Sequence, residues 1–250
     1  MKIVYHERYR EVYASDPAAA AGRIEAIYEQ LQGRFEFVTP EKAREEDLKL
    51  VHWQSHIDHV KQHVHAYEIA LLAVGGAVKA AKLAVQHEPS FALIRPPGHH
   101  ASQDSSWGFC YFNNIAISIE KLRKEALIQK ALIIDIDLHY GDGTANIFIN
   151  TPQVTYYHVD GNSSQQYLNN LTQFLKNTKV ADIVAVSAGF DRHEQDWGGL
   201  LKTEDYATIG RIIKEYSEKT CHGKRYAVLE GGYNHKVLGK NVQAFLEGMK

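Results

Sequence analysis

Two short runs, residues 131–137 and 182–187, are apolar almost throughout and rich in isoleucine and valine. A strand carries apolar side chains on both faces only when both faces are buried, the condition of a parallel sheet covered by helices on each side. Five similar runs accompany them, at residues 2–5, 35–38, 91–94, 154–159 and 225–229, and stretches of helical periodicity separate most of them. Helices are expected over 17–32, 56–86, 113–124, 144–150, 165–177, 204–220 and 237–249, with Thr39-Pro40 marking a further helix start. Such alternation predicts an α/β fold, a mostly parallel multi-stranded sheet with helices on both faces. No linker, repeat or low-complexity segment interrupts it, so residues 1–250 read as one domain.

Composition excludes more than it selects. A net charge of −2 gives no general pull toward nucleic acid or anionic membrane. No apolar run approaches the roughly 20 residues of a bilayer span, and Met1-Lys2-Ile3-Val4-Tyr5-His6-Glu7 becomes charged too early for a secretory signal. Two cysteines, Cys110 and Cys221, form neither a CxxC pair nor a framework, which suits a reducing cytoplasm. Fourteen histidines are the excess that needs a reason.

Ligands of such folds bind beyond the carboxyl ends of the strands. There the chain carries Arg95-Pro96-Pro97-Gly98-His99-His100, Asp135-Ile136-Asp137-Leu138-His139-Tyr140-Gly141-Asp142-Gly143, Ala188-Gly189-Phe190-Asp191 and Glu230-Gly231-Gly232-Tyr233. Asp137, His139 and Asp191 form a sensible three-ligand zinc set, since zinc accepts imidazole nitrogen and carboxylate oxygen and a catalytic site keeps a position for water or substrate. Any one of them would pass as a loop-capping carboxylate or a surface histidine; the three together, each at a strand end, would not. His99 and His100 follow a rigid Pro-Pro-Gly turn and can divide general base and general acid between them, with Asp135 and Asp142 as orienting partners. A phenol at Tyr233 can meet the oxyanion of a tetrahedral intermediate. His52, His56, His59 and His63 fall on one helical stripe and read as a solvated or partly packed face rather than a second metal site. Gly75-Gly76, inside an alanine-rich helix, reads as close helix packing.

These segments, with Gly108-Phe109-Cys110-Tyr111-Phe112-Asn113-Asn114, resemble the histone deacetylase and acetylpolyamine amidohydrolase superfamily, in that family's order and from about Tyr5 to the C-terminus. The resemblance implies the arginase-like α/β fold and a zinc ion held by Asp137, His139 and Asp191, with ferrous iron open as the native metal. It implies that His99, His100, Tyr233, Asp135 and Asp142 are the catalytic residues, and that Gly108 and Phe109 line a tunnel for the acyl-lysine. It also implies a potassium ion near Asp135, Asp137 and His139. The expected reaction is hydrolysis of an N-acyl, above all N-acetyl, amide of lysine, a polyamine or a small amine. His99 would serve as base and His100 as acid, with zinc lowering the pKa of its water from about 15.7 toward about 7. A two-metal guanidino hydrolase is disfavoured because no second aspartate set is evident. A metal-containing binding protein without turnover stays as the rival reading, and the oligomeric state stays open.

Three departures stand out. The stretch between Val159 and Asp182 is short and lacks the aromatic-Pro-Gly loop that supplies the second tunnel wall, so a wide mouth with a weak grip on acetyl-lysine is expected. Gly198 falls where the polyamine-selective class carries a glutamate. Ala18-Ala19-Ala20-Ala21 replaces a proline-rich substrate loop.

Overall fold

The computed structural model describes residues 1–178 and 181–250. Lys179 and Val180, within the shortened 160–181 stretch, lie outside the described residues. The elements are β1 (Lys2–Val4), α1 (Arg23–Leu31), β2 (Glu36–Val38), α2 (Glu45–Leu48), α3 (Gln54–Lys61), α4 (Val64–Val85), β3 (Ser90–Ala92) and α5 (Asn114–Lys124). They continue with β4 (Ala131–Asp135), α6 (Asp142–Phe148), β5 (Val154–His158), α7 (Ser164–Asn177), β6 (Ile183–Ala188), α8 (Thr203–Cys221), β7 (Arg225–Leu229) and α9 (His235–Met249).

All seven expected strands form, and they join one parallel sheet in the order β2-β1-β3-β7-β6-β4-β5. Every residue of β4, β6 and β7 is buried, as their apolar composition requires. The edge strands β2 and β5 carry half-exposed side chains instead. Helices α4 and α5 pack together on one face, and α1, α9, α8 and α7 form the other layer. Among the described residues no helix is long and apolar enough to cross a membrane.

Three expectations about helices change. The stretch 17–32 breaks into a 3-10 turn over Pro17–Ala19 and α1, because Gly22 takes a left-handed φ of 84° at the junction. The stretch 56–86 divides into α3 and α4 where His63, with ψ 68°, leaves the helical region; apolar periodicity runs through the break and does not show it. Thr39-Pro40 starts no helix. Residues 41–43 lie instead against the gap left by Gly75, where a Cβ would collide with the Glu41 carbonyl oxygen, and the Ala43 N–H bonds to the Leu71 carbonyl at 3.0 Å. Close packing at Gly75-Gly76 is thus what the structure shows.

Candidate active site

The sheet order places β3, β7, β6 and β4 side by side, so the four polar strand ends singled out in the sequence converge. Beyond β4, the Asp137 carboxylate is held on both oxygens: Oδ1 accepts the His139 N–H at 2.9 Å and Oδ2 the Gly231 N–H at 2.8 Å. Asp191, beyond β6, accepts the Leu138 N–H on Oδ1 at 3.0 Å. His139 Nδ1 lies 3.3 Å from Asp137 Oδ1 and 3.1 Å from Asp191 Oδ2. Candidate ligand atoms of the three residues all fall within 4.8 Å of one another. Position 231 must be glycine, since a Cβ there would sit 2.6 Å from Asp137 Oδ2 and 2.8 Å from Asp191 Oδ2.

The donor set asks for a cation. Asp191 Oδ2 is buried and receives no well-aligned hydrogen bond, its polar neighbour being the His139 ring at 3.1 Å, and a buried acceptor left so costs about 1–3 kcal/mol. Burial and the neighbouring Asp137 charge push the Asp191 carboxyl up to about 6. The adjacent carboxylates, Asp137 first and then Asp191, push His139 up to about 10, so the pair draws a proton onto the imidazole between them. One nitrogen and two carboxylates drawing positive charge suit a divalent ion, which displaces such a proton on binding.

His99 and His100, both buried, present their rings 4.1 Å apart. His99 Nδ1 lies 3.0 Å from Asp135 Oδ2, and His100 Nδ1 lies 2.7 Å from Asp142 Oδ1. The surroundings drive the two imidazoles in opposite directions. Burial lowers both, but for His99 the buried Asp137 and Asp135 outweigh it and raise the ring, whereas His100 is lowered by burial and by the charge of His99.

Tyr233 shares a cavity of about 120 Å³ with His99, His100, His139, Trp107 and Phe109. The same cavity corrects the expectation of a wide mouth. Its other wall is Trp197, stacked on Tyr233 at 4.1 Å and edge-on to His139 at 6.0 Å. Asp196 sets this wall: Oδ2 accepts the N–H groups of Tyr233 and Asn234, both at 2.8 Å, and Oδ1 that of Trp197 at 2.8 Å. On the facing side, Gly108 and Phe109 both adopt positive φ, 57° and 67°, the latter a strained value for a residue with a large side chain. A Cβ on Gly108 would meet His100 Cδ2 at 2.5 Å.

Residues 18–167 and 158–249 match the family model of the histone deacetylase domain. The chain belongs to the histone deacetylase family. This is a family of hydrolases, and the chain is one of them. A Methanothermobacter thermautotrophicus protein named "Probable deacetylase" is 31% identical over 92% of this chain and 84% of its own length. The acetylpolyamine amidohydrolase of Mycoplana ramosa is 29% identical over 73% of this chain and 63% of its own. The crystal structure of the HDA15 HD domain shares the fold, with a TM-score of 0.85 and 23% identity over 99% of this chain and 88% of that one.

Several groups that support this deacetylase-family site were not singled out in the sequence. Buried Glu230 accepts the N–H groups of Gly98 at 2.7 Å and His99 at 3.2 Å, tying the tandem histidines to β7. Arg23, buried on α1, donates to the carbonyls of Gly232 at 2.8 Å and Glu230 at 2.5 Å and lies 5.5 Å from the Tyr233 ring. Trp107 donates to Asp142 Oδ2 at 2.9 Å and packs on His100 with centroids 3.9 Å apart. The histidine stripe is partly packed, one of the two forms expected of it, with His52 and His56 as buried struts: His52 bonds the Ser102 carbonyl and the Asn113 N–H, and His56 the Tyr111 carbonyl. Only His59 and His63 of that set stay exposed. Its place at the head of the Glu-Gly-Gly-Tyr run at a strand end could have pointed to Glu230; the others are set by contacts far along the chain.

Of the oxygens expected to serve potassium, those of Asp135 and Asp137 already take protein donors. Asp135 Oδ1 accepts the Asp137 N–H, and Oδ2 serves both His99 and the Tyr156 hydroxyl. The Asp135 carbonyl accepts the Val159 N–H, and the Asp137 carbonyl accepts from Arg192.

Proposed function

We propose that residues 1–250 form one catalytic domain that hydrolyses the N-acetyl amide of a lysine side chain, using one zinc ion held by Asp137, His139 and Asp191. The observation that carries this reading is the cation-seeking cluster, whose His139 opens on the same small cavity as His99, His100 and Tyr233. A zinc ion there supplies Lewis-acid polarisation of the amide carbonyl and acidifies water.

The protein supplies the rest. Asp135 and Asp142 each engage a histidine Nδ1, which leaves both Nε2 atoms for the substrate side. His100, held toward the neutral form, accepts the proton of the attacking water, and His99, held toward the charged form, supports the developing negative charge and the departing amine. The sequence reading has His99 as base and His100 as acid; what supports this assignment instead is that His99 faces two buried carboxylates and His100 a half-exposed one. The Tyr233 hydroxyl, kept protonated chiefly by burial, donates to the oxyanion.

The mouth favours acetyl-lysine over acetylpolyamine. Trp107, Phe109, Trp197 and Tyr233 offer an apolar sleeve for a tetramethylene stem, and no carboxylate is among the described residues lining the cavity to pair with a second amine. Gly198 cannot carry one, because a Cβ would sit 2.6 Å from the Arg192 Cα. Metal analysis of purified protein, joined to kinetics on acetyl-lysine peptides and acetylpolyamines, tests the proposal. About one zinc per chain, lost with activity in Asp191→Ala, is the expected outcome. Full metal occupancy in that variant would sink the ligand set, and preferred turnover of acetylpolyamines the substrate class.

A further inference from the structure

Arg192 follows Asp191 directly, and its buried side chain reaches back to the strand end that bears Asp137 and His139. Nε donates to the Asp137 carbonyl at 3.2 Å, and Nη2 to the Leu138 carbonyl at 3.2 Å and to His158 Nε2 at 3.0 Å. Nη1 lies 3.3 Å from Asp160 Oδ1, and the guanidinium carbon 5.3 Å from the Tyr167 ring centre. The side chain is only 7% exposed. A guanidinium is always charged in a protein and spreads its donors over a fixed plane, so it can hold several acceptors at once. A buried guanidinium is tolerated only where charge and hydrogen bonds compensate it, and here Asp160 pairs with it while two backbone carbonyls and His158 take its donors.

We infer that the Arg192 guanidinium takes the place of a monovalent cation behind the metal centre, so that this protein needs no potassium. It fixes the carbonyl groups on either side of the Asp137–Leu138 peptide, and through them the direction of the Asp137 carboxylate. It also adds one permanent positive charge behind the strand end that bears the buried Asp137. A bound potassium ion would do the same only while dissolved potassium kept its site filled; the side chain is tethered and does not exchange. Arg192 is in this sense a positioning residue, acting through the ligands and not on the substrate.

The inference rests on the metal reading above, and its test separates the two. The full chain is stripped of metal and melted in potassium chloride and in tetramethylammonium chloride at equal ionic strength. Zinc affinity is then measured in both salts by competition with a chromophoric chelator, for the wild type, Arg192→Lys and Arg192→Met. The wild type should melt at the same temperature and bind zinc equally in either salt. Arg192→Met should bind zinc about 10–100-fold more weakly, the usual cost of losing a group that orients metal ligands. Arg192→Lys, which restores the charge but not the planar fork, should fall between them. A wild-type melting temperature or zinc affinity that rises with potassium specifically would overturn the inference, as would Arg192→Met binding zinc like the wild type. Should Arg192→Met fail to fold, the lysine variant and the wild-type salt comparison decide. A chain that binds zinc in neither salt would refute the metal reading, while the metal-free melts would still judge Arg192.

Discussion

His52 offers a titration at a histidine outside the proposed metal ligands. Its ring is 3% exposed and spans the base of the segment 102–113, which carries Trp107, Gly108 and Phe109. Nδ1 lies 2.8 Å from the Ser102 carbonyl, so it carries the proton, and Nε2 accepts the Asn113 N–H at 2.9 Å. Only the neutral ring with its proton on Nδ1 makes both bonds. Burial, reinforced by His56, pushes His52 down to about 3. The unfolded chain protonates this histidine near 6.5, whereas the folded chain resists until about 3. The stabilisation from neutral His52 is therefore complete above 6.5 and is lost as the pH falls through that interval. At about 1.36 kcal/mol per pH unit the whole interval is worth about 5 kcal/mol, and about 3 kcal/mol is gone by about pH 4. That is a large share of the roughly 5–15 kcal/mol of a typical domain. Urea unfolding of the metal-free protein from neutral pH to about pH 4 should show this loss. His52→Gln, which keeps an acceptor near Asn113 but cannot titrate there, should start less stable and lose about 3 kcal/mol less over the same range. Parallel pH profiles for the two proteins would refute the reasoning, since carboxylate titrations elsewhere are common to both.

Two further outcomes concern the cavity. Tyr233→Phe should lower kcat by about 10²–10³-fold, the cost of one oxyanion donor, with zinc content unchanged; near-normal turnover would return Tyr233 to a packing role. Trp197→Ala should raise KM for acetyl-lysine peptides about tenfold, or about 1.4 kcal/mol, within the worth of one aromatic pair, and leave kcat nearly unaltered. An unchanged KM would mean that the substrate stem never meets this wall.

Much of this site was legible in the sequence because its chemistry is local to strand ends. Apolar runs of β-branched residues mark strands through side-chain burial alone, and all seven formed. Asp135, Asp137, His139 and Asp142 lie within eight residues, so one strand end and the turn after it deliver them together whatever the rest of the chain does. Helix boundaries were less legible where a backbone contact overrode local signals, as at Thr39-Pro40, where docking against Gly75 delays the helix to Glu45. The strand order was not legible either. Sequence order leaves β3 and β7 far apart, and only burial of the whole sheet makes them neighbours, bringing the tandem histidines to Glu230 and Tyr233. The mouth was decided in the same way. The sequence between Val159 and Asp182 correctly offers no wall, yet Trp197 supplies one because Asp196 bonds the backbone of Tyr233, 37 residues away. Arg192 reaches a carbonyl 55 residues back, and His52 an amide 61 residues on. Periodicity and turn chemistry act over a few residues, whereas a buried donor takes whichever acceptor the packed chain places within 3 Å or so of it, and that choice exists only once the chain has folded.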